Sequence, residues 1–264
     1  MVRPPFTEIA PGHWVENCPV CVQLPVASRG QAGSFESSSP FADHESHRRT
    51  APASALAAAQ SHLERSPRPN RAESGDSSRA HELQEQLREL LTWAQQTGKV
   101  IPADRYLTPD EAGAEHRVFF DEVHSSAIKV TNPNRCGMSY PHGEPEAATP
   151  GEYLERWRLH NAVFGDDTEL EGIIESFAGL AVVMRQRWIV GTVPTMEDIT
   201  GLMRDLGFQP TALPECVYRA EDDIAVMDCH EGNFLLGENG IVFPIDVIPV
   251  RPDTGLKKRL GIHP

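Results

Sequence analysis

Three oxygen-bearing side chains late in the sequence have the types and spacing to hold a hard cation. Asp228 is followed five positions on by Asn233, and Asp246 lies thirteen beyond that. Apolar runs separate them: Ile224-Ala225-Val226-Met227 before Asp228, Phe234-Leu235-Leu236 after Asn233, and Ile241-Val242-Phe243 ahead of Pro244-Ile245-Asp246. The stretch Gly237-Glu238-Asn239-Gly240 has turn chemistry and folds the second run back on the third as a hairpin. That fold-back brings Asp246 close to Asn233, so two acids and an amide share one site. Such oxygen ligands suit Mg²⁺, which takes one or two carboxylates and completes its shell with water and phosphate oxygens. The plainer alternative is a buried hairpin with Asp and Asn capping its turns, and a short Asp-x4-Asn match alone arises often by chance.

The elements that would position this group lie upstream. Residues 117–120 and 126–131 read as two strands joined by a turn at 121–124, with Lys129 between apolar neighbours in the second. Residues 149–164 read as a helix: Thr149 is an N-cap, Pro150 takes the first position, and Glu152 completes a capping box. Gly165 ends it. Residues 170–174 and 180–184 read as two more strands, and Thr195 opens a helix through Leu206 that would pack beneath the hairpin. Further upstream, Leu83, Leu87, Leu90, Leu91 and Ala94 fall on one face of a helix from about residue 80 to Gly98.

The chain has 264 residues, of which 39% are hydrophobic, a low fraction that implies an unfolded portion. Residues 1–79 are expected to form a mostly disordered arm and residues 80–264 the folded domain. From Ala27 to Arg79 the chain is rich in Ser, Ala, Pro, Arg and Gly and has little apolar area to offset its ordering entropy. Within the arm Cys18 and Cys21 form a Cys-x-x-Cys pair near His13. A zinc site needs four ligands and no second pair follows, so the simpler reading is two surface thiols. The net charge of −14 argues against general nucleic-acid or acidic-membrane binding. No apolar run is long enough for a membrane span, and the N-terminus lacks a signal-peptide core. Five scattered cysteines fit a reducing cytoplasm; of these Cys229 is expected to be buried and inert.

The order strand, strand with Lys, helix with Glu, two strands, linker, helix, Asp-x4-Asn, hairpin and Asp resembles a minimal protein-kinase-like fold. The Asp228-Cys229-His230-Glu231-Gly232-Asn233 loop is similar to that of the aminoglycoside-phosphotransferase branch. Glu152-Tyr153-Leu154, His160-Asn161, Phe164-Gly165-Asp166-Asp167, Leu170-Glu171-Gly172 and Pro244-Ile245-Asp246 resemble kinase-like domains of bacterial and phage polyvalent proteins, over about residues 95–250. The resemblance implies an α+β fold: an antiparallel N-lobe sheet, an αC-like helix and a truncated C-lobe. It implies ATP and Mg²⁺, with Lys129 on the α- and β-phosphates and Gly113, Ala114 and Glu115 in the nucleotide-covering loop. Glu152, or Glu155 one turn on, would pair with Lys129. Residues 186–191 stand where the adenine-binding hinge would be. Asn233 and Asp246 would hold the metal, and Asp228 would orient the acceptor hydroxyl, with His230 holding the loop.

Three departures bear on activity. Val226-Met227 precede Asp228 where kinases carry His-Arg, Val247 follows Asp246 where they carry Phe-Gly, and only 18 residues follow Asp246. Substrate would meet a shortened lobe, or a protein partner would complete it. The sequence therefore leaves two readings open: a phosphotransferase of unknown acceptor, or a degenerate nucleotide- or partner-binding module of a mobile-element or defence system.

Overall fold

The structure, a computed structural model, describes residues 6–10, 13–16, 54–65 and 76–262. Cys18, Cys21 and most of the stretch expected to be disordered lie outside the described residues. In the N-terminal unit, residues 1–45, β1 (Phe6–Ala10) and β2 (His13–Glu16) form an antiparallel hairpin.

The larger unit opens with α1 (Ala55–Arg65), α2 (Asp76–Thr97), β3 (Val100–Ile101), β4 (Glu111–Ala112), β5 (His116–Asp121) and β6 (Ser126–Thr131). It continues with β7 (Met138–Ser139), β8 (Glu146–Ala147), α3 (Pro150–Phe164), β9 (Glu169–Ser176), β10 (Gly179–Arg187) and β11 (Gly191–Thr192). Then come α4 (Met196–Asp205), β12 (Gln209–Pro210), β13 (Val217–Arg219), β14 (Ile224–Met227), β15 (Phe234–Gly237), β16 (Val242–Pro244), β17 (Ile248–Val250) and α5 (Thr254–Leu260).

Helix α1 corrects the expected extent of the disordered arm, and α2 starts at Asp76 rather than near residue 80. Leu56, Ala59 and Leu63 recur at helical spacing and are buried against Leu83, Leu87 and Leu90 of α2 and Leu154 and Trp157 of α3. Two leucines and a small alanine suffice where neighbouring helices supply the rest of the core, and composition averaged over fifty residues hides so short a stripe. Leu56 is 2% exposed. Leu56→Ala should therefore cost about 2–5 kcal/mol in urea unfolding, and a loss below about 0.5 kcal/mol would mean that α1 is not docked.

The main sheet has the order β3-β9-β10-β6-β5-β4, antiparallel except for the β3–β9 pair. Period-two alternation decides where Lys129 points. Ile128 and Val130 join Phe119, Ile174 and Val183 in a core on one face. Lys129 pairs across the sheet with Met184, whose side chain belongs to the core containing Trp157 of α3. A lysine is thus buried between sheet and helix at the centre of the sheet.

Helix α3 spans both halves of the unit. Its first turns pack under the sheet, while Leu159, Val163 and Phe164 join Ile199 and Met203 of α4 and Phe234 and Val242 of the β15–β16 hairpin. The expected placement of α4 against that hairpin holds. Thr149 caps α3 with the expected capping box: its side chain accepts from Glu152 N, and Glu152 Oε2 accepts from Thr149 N at 2.7 Å. The expected linker at 186–191 is partly strand, since β10 runs to Arg187 and Gly191 pairs with Gly237. The sheet β12-β13-β14-β17 carries the loop that follows β14.

Candidate active site

Strand β14 is buried at all four positions and delivers Asp228 at its end. Asp228 has φ = 64°, in the left-handed region that an acid tolerates better than a branched residue. Its conformation is secured by Asn233, whose Nδ2 donates to the Asp228 carbonyl at 2.9 Å and to Oδ2 at 2.8 Å. His230 accepts the Gly232 N–H on Nδ1 at 3.1 Å, while its Nε2 lies 3.2 Å from Asn233 Nδ2 and 3.6 Å from Asp228 Oδ1. His230 thus braces the loop.

The hairpin returns as the sequence predicts. The Asn233 carbonyl accepts from Ile245 N at 2.8 Å and from Asp246 N at 3.4 Å, so the backbones of Asn233 and Asp246 are adjacent. Lys129 reaches the same place, donating to the Ile245 carbonyl at 2.6 Å and lying 3.4 Å from Asp246 Oδ1. Its ammonium sits 4.8 Å from the centre of the Trp157 ring, a cation–π contact.

The residue that sequence reasoning missed is Arg156. Its side chain is 3% exposed, and its guanidinium donates to Asp246 Oδ1 and the Asp246 carbonyl at 2.7 Å each, to Glu115 Oε2 at 2.8 Å and to the Val247 carbonyl at 3.2 Å. Tyr153, Arg156, Trp157 and His160 share one face of α3. An arginine on the apolar face of a core helix was the available signal, because such a charge is rarely buried unpaired. His116 completes the cluster: its Nε2 hydrogen-bonds the Tyr153 hydroxyl at 2.8 Å, and Nδ1 lies 3.7 Å from Asp246 Oδ2.

Electrostatics follow from this packing. Burial holds the Lys129 ammonium below its ordinary pKa, with Asp246 opposing. Burial would push the Asp246 carboxyl up, but Lys129 and Arg156 outweigh it and hold the group well below the usual carboxylate range. Burial likewise works against the Arg156 charge, and Asp246 and Glu115 overcome it. His160, one turn beyond Arg156, is pulled down to about 4 by burial against the attraction of Asp166, so it adds no charge at neutral pH.

The expected helix acid is not beside Lys129. Glu152 is committed to the α3 cap and to Arg79 at 2.7 Å, because the first turn of the helix needs its carboxylate. Glu155 is turned to Gln60 and Arg158. Asp246 is the acid that meets Lys129. Gly113 and Ala114 are exposed at the start of β5, in a turn closed by Gly113 N to the His116 carbonyl at 2.8 Å. Glu115 points inward, accepting from Arg156 and from Met138 N at 2.8 Å.

Lys129, Asp228, Asn233 and Asp246 all fall within residues 83–250, the span matched by the family of serine/threonine/tyrosine kinases found in polyvalent proteins. The chain belongs to this family. The span of this polyvalent-protein kinase domain begins inside α2 and ends with β17, so α1 and α5 lie outside it. No curated protein and no solved structure matches the chain. Among the described residues no helix is long and apolar enough to cross a membrane.

The donor chemistry at this corner of the site fits a hard divalent cation such as Mg²⁺. Asn233 and Asp246 offer hard oxygen donors on adjacent backbone. Glu115, His116 and Asp246 also bring ligand atoms within 4.8 Å of one another. Arg156 binds both of those acids, however, so that trio is an ion-pair network rather than a metal cage.

Proposed function

We propose that the domain is an ATP- and Mg²⁺-dependent phosphotransferase acting on a hydroxyl acceptor. The observation that carries this reading is the meeting of Lys129, from the centre of the sheet, with Asp246, next to the hydrogen-bonded Asp228–Asn233 pair. In this reading the sheet with α3 forms a nucleotide lobe and the β11–β15–β16 and β12–β17 layers a short second lobe. Lys129 binds the α- and β-phosphates, and the turn at Gly113, Ala114 and Glu115 lies near the nucleotide. Asn233 and Asp246 would hold the metal, which would supply positive charge against the phosphates. Asp228 orients the acceptor hydroxyl and takes its proton. Most of the rate would come from positioning and charge complementarity, because phosphoryl transfer asks little covalent chemistry of the protein. The site is expected to operate in the cytoplasm.

The test is thermal unfolding with ATP, with and without Mg²⁺, on the wild type and Asp246→Ala. A ligand that binds only the folded state raises the melting temperature, by about 2.7 kcal/mol of stability at a hundredfold excess over Kd. The expected result is a Mg²⁺-dependent rise in the wild type that is absent in Asp246→Ala. No rise in either protein would end the nucleotide reading.

A second reading, nucleotide or partner binding without turnover, draws on one observation: among the described residues no acid of α3 reaches Lys129, and Arg156 engages Asp246 instead. Stabilisation by ATP with no phosphate transferred to water, protein or added alcohols would favour it.

A further inference from the structure

We propose that Arg156 is the built-in counter-ion of the metal-binding acid, so that a divalent cation reaches Asp246 only in competition with the Arg156 guanidinium. The inference rests on the reading of Asp246 as a metal ligand, but its test does not need nucleotide.

The geometry separates what Arg156 holds from what it blocks. Its bonds to the Asp246 and Val247 carbonyls fix the backbone that presents the acid. Its bond to Asp246 Oδ1, at 2.7 Å, occupies a carboxylate oxygen that a cation would use. Lys129 lies 3.4 Å from the same oxygen. Oδ2 faces His116 at 3.7 Å. Glu115, at 2.8 Å, gives the guanidinium a second acid to rest on. A cation arriving at Asp246 can therefore displace one of the two Nη2 bonds, that to Oδ1, while the carbonyl and Glu115 bonds keep Arg156 in place. Lys129 and Arg156 balance Asp246 and Glu115, so these four side chains sum to zero formal charge before any metal binds. A Lys–Glu–Asp arrangement, with the acid on the helix, would carry one net negative charge. The exchange of a helix acid for a helix cation weakens the pull on a metal, and phosphate charge must supply the difference. Arg156 is thus a positioning residue that makes metal binding depend on the nucleotide.

The measurement is Mn²⁺ binding to the intact protein by electron paramagnetic resonance, without and with ATP. Without ATP, Arg156→Gln should bind Mn²⁺ at least about tenfold more tightly than wild type, since a unit charge a few ångströms from the site is removed. Arg156→Lys keeps the charge and should stay within about threefold of wild type. The gain should vanish in Arg156→Gln/Asp246→Asn, which excludes binding to surface acids. If Arg156→Gln lacks a native near-UV spectrum, Arg156→Gln/Glu115→Gln restores the net charge of wild type but still frees Asp246 Oδ1 of the guanidinium, and should bind Mn²⁺ more tightly than wild type by a smaller factor than Arg156→Gln. A purely structural clamp would lower metal affinity or leave it unchanged in the folded variant, and either result overturns the proposal. If the gain appears while ATP binds to neither protein, the counter-ion role stands and the phosphotransferase reading falls.

Discussion

Replacing Asp228 with asparagine should lower phosphate transfer from ATP by about 10²–10⁴, the range for losing a positioned general base, while Mg²⁺·ATP affinity stays within about threefold. The separation follows from the contacts. Asp228 is braced by Asn233 and His230, whereas Lys129 meets Asp246 and the Ile245 carbonyl. The Asp228 side chain is 37% exposed, open enough to meet an acceptor. An asparagine keeps an oxygen for the Asn233 amide to bond, so the loop should hold while the proton acceptor is lost. Transfer of labelled γ-phosphate to water, to the protein itself and to added alcohols measures turnover, and calorimetric titration measures binding. Loss of binding along with turnover would move Asp228 from the acceptor side to the nucleotide side. Unchanged turnover would remove it from the chemistry.

Much of the scaffold was legible because each element carried a local signal. Thr149-Pro150 with Glu152 marked the start of α3, and alternation around Lys129 marked a strand, but it suggested a half-buried strand with the lysine pointing out, whereas all six positions of β6 are buried because sheet and helix cover both faces. The turn at residues 237–240 implied the β15–β16 hairpin, and hydrogen bonds across Asn233 and Asp246 bear out that pairing. What was illegible depended on contacts distant in sequence. Arg156 earns its burial from Glu115, 41 positions away, and from Asp246, 90 away. No local pattern announces such partners, so the helix acid was assigned from kinase order and the Glu152-Tyr153-Leu154 resemblance. Glu152 satisfied two patterns at once, a capping box and a helix acid near Lys129, and the backbone N–H groups at the helix start won because they have no other partner. Helix α1 was hidden for a different reason. Its apolar stripe is too narrow to stand out from an Ala- and Ser-rich background, and its partners lie in α2 and α3.

Asp246→Ala should be the most destabilising single change in the site, by about 3–5 kcal/mol, because it leaves buried Lys129 without its acid and buried Arg156 with Glu115 alone. Lys129 and Arg156 are 7% and 3% exposed at their side chains, so neither can recover full hydration without local opening. In a unit of this size the loss corresponds to a fall of about 6–20 °C in melting temperature. Asp228→Ala removes a partly exposed acid and should cost about 1 kcal/mol or less, so comparing the two separates burial from loss of charge. The pH dependence has a fixed sign. Lys129 and Arg156 depress the folded-state pKa of Asp246, so its contribution is present above the unfolded value near 3.9 and is lost as pH falls below it. The gap between wild type and Asp246→Ala, read by urea unfolding, should be full at pH 7 and smaller at pH 3. A variant within about 1 kcal/mol of wild type at pH 7 would mean that the two cations reach water and that Arg156 does not depend on Asp246. Because the unliganded variant melts lower, ATP binding must be read as the ligand-induced shift within each protein. A large drop without ligand, together with a lost ligand shift, would show that one carboxylate both closes the ion cluster and receives the nucleotide.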